Sequence, residues 1–255
     1  MEPIELEVCA GSLEDCLKAE KGGAHRVELN SALFLGGLTP TTATLKKVKE
    51  QTGLEVICMA RPRPGGFCYS PLEKEVLLAE AKELLDAGAD GIAFGGLNPD
   101  FSLDEELVRD MVVLIRQYPG AKAVFHRAFD LHPDPKQAMQ MLIDLGVDRV
   151  LTSGQKATAP KGAALLHDLQ KEFGSQIDIL AGSGIRPENA QAFLKASGIR
   201  QIHASCKTLQ TDPTAAAGEI SYGYLPSPNE CAYEAADENA IRELADLLMH
   251  LQAED

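Results

Sequence analysis

Gly23, Gly53, Gly88, Gly120, Gly146, Gly174 and Gly198 each close an amphipathic stretch and precede a short apolar one by a few residues. A helix that stops on glycine shortly before a strand begins gives this signal, and its recurrence constrains the chain more than any other feature. The preceding stretches carry apolar residues at helical spacing, as in Val76, Leu77, Ala81, Leu84 and Leu85, or Met139, Leu142, Ile143 and Leu145. With the strand that comes before the first glycine, the spacing predicts eight strands: Leu6–Ala10, Arg26–Asn30, Glu55–Arg61, Gly91–Gly95, Ala123–Ala128, Arg149–Ser153, Ile177–Ala181 and Gln201–Ser205. Eight βα units joined by short connections can close on themselves, so the expected fold is a closed (β/α)8 TIM-type barrel. An open doubly wound sheet is the competitor, but its G-x-G-x-x-G turn after the first strand is missing. One domain is expected over residues 1–255, with a loop insertion at about 207–236, rich in Ala, Gly, Pro and Tyr, before a closing helix near 238–251.

A weak internal repeat supports closure. Gly23-Ala24-His25-Arg26, Gly88-Ala89-Asp90-Gly91, Gly146-Val147-Asp148-Arg149 and Gly198-Ile199-Arg200-Gln201 align on the glycine, each ahead of an even-numbered strand. The alignment sets the side-chain register. Leu6, Val8, Val27, Leu29, Ile92, Phe94, Val150 and Ile202 fall on the helix-facing side, and the opposite parity collects Glu7, Cys9, Glu28, Asn30, Ser153, His203 and Ser205, joined by His126 and Arg61. An interior this polar is read as a site, since isolated charges in a dry core cost several kcal/mol each. For Glu7, Glu28 and Arg61 the alternative is a buried charge network that holds the barrel together.

Lysine plus arginine number 24 and aspartate plus glutamate 38, a formal charge of −14. That balance repels phosphodiester backbones and anionic membrane surfaces, so neither nucleic acid nor membrane is an expected partner. The polar start Met1-Glu2-Pro3-Ile4-Glu5 and the lack of a long apolar run point to a cytoplasmic protein. Cys9, Cys16, Cys58, Cys68, Cys206 and Cys231 are widely spaced without C-x-x-C, so reduced thiols are expected rather than disulfides or structural zinc.

In barrels of this kind the site lies at the carboxyl ends of the strands. The candidates for proton transfer are Glu7, Glu28, His126, Asp130 and His203, with Arg61 as an anion clamp. His126-Arg127-Ala128-Phe129-Asp130 concentrates an imidazole, a guanidinium and a carboxylate just before Pro133. Arg61, Arg63, Ser153, Gly154, Gly182, Gly184 and Ser205 form a candidate anion-binding set, because Ala181-Gly182-Ser183-Gly184-Ile185-Arg186-Pro187 resembles the amide-rich turns that hold phosphate. Strands one and eight become neighbours on closure. This brings Cys9 toward His203 or Cys206, where two soft ligands could hold a copper(I) ion.

Taken together, Glu7-Val8-Cys9, Arg26-Val27-Glu28-Leu29, Gly36-Gly37-Leu38-Thr39-Pro40, Arg61-Pro62-Arg63, Phe125-His126-Arg127-Ala128-Phe129-Asp130, Leu151-Thr152-Ser153-Gly154 and His203-x-Ser205 resemble the CutC family over residues 5 to 206. The resemblance implies a TIM-type barrel, cytoplasmic and homo-oligomeric, with a role in copper homeostasis and copper ion binding. It carries Cys9 over as a copper ligand. A second cysteine proposed as a ligand in that family is Asn30 here, and an amide is a poor ligand for soft copper. The family's Arg-Pro-Arg-Gly-Gly-Asp turn reads Arg61-Pro62-Arg63-Pro64-Gly65-Gly66, without the aspartate. Two function classes therefore stand: a copper-binding homeostasis protein, or an enzyme acting on a small anionic metabolite, phosphorylated or carboxylated.

Overall fold

A computed structural model describes residues 4–254; the polar start at 1–3 and residue 255 lie outside the described residues. Eight strands alternate with helices in chain order: β1 (Glu5–Ala10), α1 (Leu13–Lys21), β2 (Arg26–Leu29), α2 (Thr42–Gln51), β3 (Glu55–Met59), α3 (Pro71–Asp86), β4 (Gly91–Phe94), α4 (Glu105–Ile115), β5 (Lys122–Phe125), α5 (Pro135–Asp144), β6 (Arg149–Thr152), α6 (Ala163–Phe173), β7 (Asp178–Gly182), α7 (Pro187–Ser197) and β8 (Gln201–Ala204). All neighbouring pairs are parallel, and β8 returns to β1 through Glu7↔His203, so the barrel closes.

Local chemistry starts the first five helices. Ser12, Thr41, Asp104 and Asp134 accept main-chain N–H groups of their first turns, and Ser70 makes a reciprocal capping box with Glu73 ahead of Pro71. Of the seven helix-closing glycines, Gly23, Gly88, Gly120, Gly146 and Gly198 adopt positive φ as the stop signal requires, whereas Gly53 and Gly174 do not.

Parity decides the two faces of the wall. Leu6, Val8, Val27, Leu29, Ile92, Phe94, Val150 and Ile202 all join the core between strands and helices, as expected. The barrel interior holds a small separate apolar cluster of Ile57, Met59, Ala93 and Val124. Below it, at the amino-terminal pole, Arg26 is only 1% exposed. Its Nε donates to Glu7 (2.7 Å), Nη1 to Glu5 (3.0 Å) and Nη2 to Gln201 (2.9 Å). Arg149 lies near Asp178 (3.5 Å) and Glu55 (4.0 Å). A charge network of this kind is destabilising to break by about 3–5 kcal/mol, because the remaining partner is left buried and uncompensated.

Several boundaries depart from expectation. β5 ends at Phe125 rather than Ala128, because His126 Nδ1 accepts the Ala128 N–H and starts a 3-10 turn over Arg127–Leu131. β3 stops at Met59, two residues short of Arg61. The insertion after β8 is more ordered than a loop. β9 (Lys207–Thr211) pairs antiparallel with β12 (Ala232–Ala236), and the short strands β10 (Ala216–Ala217) and β11 (Ile220–Ser221) pair between them. α8 (Glu238–Glu254) then packs beside α1 and α7. No helix among the described residues is long and apolar enough to cross a membrane.

Candidate functional site

At the carboxyl ends of the strands lies a cavity of about 250 Å³. Cys9, Glu28 and His203 form its floor, and Arg61, Phe67 and His126 stand on its wall. Leu33, Met59 and Leu151 add apolar surface, with Ser205 at the edge. Lys207, Glu234 and Ala235, from the β9–β12 hairpin, form its rim.

The floor is a chain of contacts across β8, β1 and β2. His203 Nδ1 stands 2.7 Å from Glu7 Oε1, so the remaining ring nitrogen, Nε2, is the one left for the cavity. Single ligating atoms of Cys9, Glu28 and His203 all lie within 4.8 Å of one another. Asn30 Nδ2 donates to Glu28 Oε2 (3.0 Å) and lies 3.6 Å from Cys9 Sγ. Two glycines leave room for this packing, and at Gly37 the positive φ calls for glycine as well. A Cβ at Gly37, whose φ is +83°, would come within 2.3 Å of Asn30 Oδ1. One at Gly182 would sit 2.6 Å from Leu151 Cδ1 and 3.4 Å from His203 Cβ.

Electrostatics follow from this packing. Burial alone would raise the Glu7 carboxyl, but the Arg26 guanidinium and His203 hold it down to about 2. Burial opposes charge on His203, yet contacts with Cys9 and Glu7 and the nearby Glu28 lift it well above its ordinary value. Burial pushes up both Cys9 and Glu28. His126 behaves oppositely: burial, reinforced by the Arg61 charge, lowers it to about 3, so its ring is neutral.

Sequence parity thus brings Cys9, Glu28, Arg61, His126, His203 and Ser205 to one cavity. The other candidates stand elsewhere. Glu7 lies behind His203, held between it and Arg26. Asp130 is turned away from the cavity, accepting from Thr152 Oγ1 (2.6 Å), Ser153 N (3.1 Å), Gln155 N (3.1 Å) and Arg127 Nε (2.9 Å). Ser153, placed inward by parity, falls just past the end of β6 and bonds Asp130 and the Lys156 carbonyl instead. Gly154 N donates to Thr152 Oγ1, and Gly154 is pressed on Gly162. The expected anion turn after β7 lies outside this cavity: Asn189 accepts from Arg186 N (3.0 Å) and donates to the Gly184 carbonyl (2.9 Å), while Gly184 abuts Thr158. Arg63 points away, paired with Glu73 and over the Tyr69 ring. Sequence reasoning missed Arg26 and Arg149, though each precedes an inward residue by two and the same parity finds them. Phe67, Lys207 and Glu234 come from irregular segments that carry no periodic signal.

A closed (β/α)8 barrel with a polar, thiol-bearing pole is the class that fold and site define. The CutC family model matches residues 4–208, and the chain belongs to the CutC family. It is 47% identical over 237 residues to a CutC protein of Treponema denticola, covering 92% of this chain and 95% of that one. It is 37% identical over 240 residues to the human copper homeostasis protein cutC homolog, covering 94% and 87%. The crystal structure of a CutC protein from Streptococcus agalactiae superposes with a TM-score of 0.73 at 29% identity, over 78% of this chain and 97% of that one. Phosphoribosyl anthranilate isomerase, at 12% identity and a TM-score of 0.55, shares the fold alone.

Proposed function

We propose that this chain binds copper(I) at the Cys9–His203 pair and acts in copper homeostasis, in the reducing cytoplasm where its cysteines stay free thiols. The observation that carries this reading is the convergence of one thiol, one imidazole and one carboxylate within 4.8 Å at the floor of the cavity. A thiolate and an imidazole suit soft copper(I), whereas the Glu28 carboxylate suits it poorly and stays an outer neighbour. Glu7 supplies the carboxylate behind the ligating histidine that fixes ring orientation in many metal sites. The names of the human and mouse relatives, both copper homeostasis protein cutC homologs, support the same role.

Binding must displace the Cys9 proton and the proton that His203 Nε2 carries, so affinity rises with pH. With one thiol in the set, the affinity is that of a transfer or buffering site rather than of a two-thiolate trap. An anaerobic titration against a chromophoric copper(I) chelator tests this. One equivalent is expected to bind to the wild type and to be lost in Cys9→Ser; weak, non-stoichiometric binding unchanged by that substitution refutes the reading.

A further inference from the structure

One wall of the cavity carries a buried cation without a counter-charge and two buried donors without acceptors. Arg61 is 6% exposed. Its Nη1 donates to the carbonyls of Leu35 (3.0 Å) and Gly37 (2.9 Å), and its Nη2 to that of Gly65 (2.7 Å). These acceptors are neutral, no carboxylate among the described residues pairs with the guanidinium, and its Nε–H makes no bond of hydrogen-bond geometry, although the buried Tyr69 hydroxyl lies close by. His126 is 3% exposed and accepts the Ala128 N–H on Nδ1 (3.1 Å). A neutral ring that accepts on Nδ1 carries its proton on Nε2, and that group too has no partner. Phe67 links the two, its ring 4.6 Å from that of His126 and 5.3 Å from the guanidinium carbon.

A buried guanidinium surrounded only by neutral dipoles favours an anion beside it, and an unsatisfied buried donor favours an acceptor. We propose that Arg61 and His126 form a binding subsite for the carboxylate of a small organic acid, whose apolar body lies along Phe67, Met59 and Leu33 toward the Cys9–His203 floor. Phosphate, with its higher charge, fits less well: Glu28 and Glu234 face the same space, and the amide turn after β7 does not line the cavity. At about 250 Å³ the cavity is smaller than the sites of drug-sized ligands, so the acid is small. This inference stands independently of the copper reading.

The test is calorimetric titration of the full chain, held metal-free by chelator, with butyrate, 2-oxobutyrate and benzoate, and with inorganic phosphate as the contrast. At least one carboxylate is expected to bind saturably and phosphate not to compete. Loss of one charged or donor contact weakens binding roughly tenfold or more; that loss is expected in Arg61→Lys and in His126→Asn, the latter keeping an acceptor for the Ala128 N–H. Cys9→Ser, expected to lose copper binding, is expected to keep carboxylate affinity, so the two readings fail separately. Saturation by none of the three acids, equal binding of phosphate, or wild-type affinity in His126→Asn overturns the proposal. If Arg61→Lys does not fold, His126→Asn alone decides.

Discussion

Glu7 places one carboxylate oxygen 2.7 Å from His203 Nδ1 and the other 2.7 Å from Arg26 Nε, and so joins the cavity floor to the charge network below it. The shift of Glu7 to about 2 means its contribution to stability is complete above the ordinary carboxyl value of 4.5 and is lost as pH falls from there toward 2. The contribution of His203, whose folded value is raised, is complete below 6.5 and disappears as pH rises through that higher value.

Glu7→Gln leaves Arg26 and His203 without their shared anion. We expect a loss of about 3 kcal/mol in urea unfolding at neutral pH, and an NMR titration in which His203 moves back toward its ordinary range. A loss well under about 1 kcal/mol, a size typical of exposed pairs, contradicts the buried network.

His126 gives the fold an acid sensitivity of its own. Its ring stays neutral when folded down to about 3 but protonates near 6.5 when unfolded, so the unfolded chain binds the extra proton and stability falls as pH drops between those values. One such group gives a slope of up to about 1.4 kcal/mol per pH unit. His126→Asn is expected to flatten the denaturation profile by that amount across this window; an unchanged profile shows that the ring is not held neutral.

Asp130 serves loop structure. Asp130→Asn exchanges a carboxylate that accepts five donors for a group that cannot satisfy them all, and about 1–3 kcal/mol of stability is expected to go. Copper(I) affinity is expected to stay within twofold or so of wild type, since that side chain faces away from the floor. A large drop in affinity with intact stability returns Asp130 to the site.

Much of this was legible in the sequence. The glycine rhythm marks every barrel strand after the first, and parity alone sorts Val27 from Glu28 and Ile202 from His203. Parity failed where strands end early. Ser153 is inward by extrapolation, but the chain has already turned toward Asp130. His126 also lies past the end of its strand but keeps the inward parity of Val124, and its ring caps the following turn. Gly182 and Gly184 look like a phosphate turn; Asn189, five residues beyond Gly184, takes the Gly184 carbonyl and the Arg186 amide, and the turn stands outside the cavity. The hairpin over β9 and β12 lacked a clear signal because its apolar residues, Leu209 and Tyr233 among them, stay exposed and follow no core-facing period.

Asn30 occupies the position beside Cys9 where a second thiol would complete a softer site. Its Nδ2 is 3.6 Å from Cys9 Sγ, so Asn30→Cys brings two sulfurs together with little rearrangement. Copper(I) affinity is expected to rise on the order of tenfold or more, about 1.4 kcal/mol, in the same chelator competition. No gain places the metal somewhere other than next to Cys9.

The most direct measurement is X-ray absorption at the copper edge of the full chain loaded with one equivalent of copper(I). The account predicts a first shell of one sulfur and one imidazole nitrogen, with the sulfur absent in Cys9→Ser and the imidazole scattering absent in His203→Ala. A shell of two or more sulfurs, or one of oxygen and nitrogen only that both substitutions leave unchanged, would contradict a Cys9–His203 site.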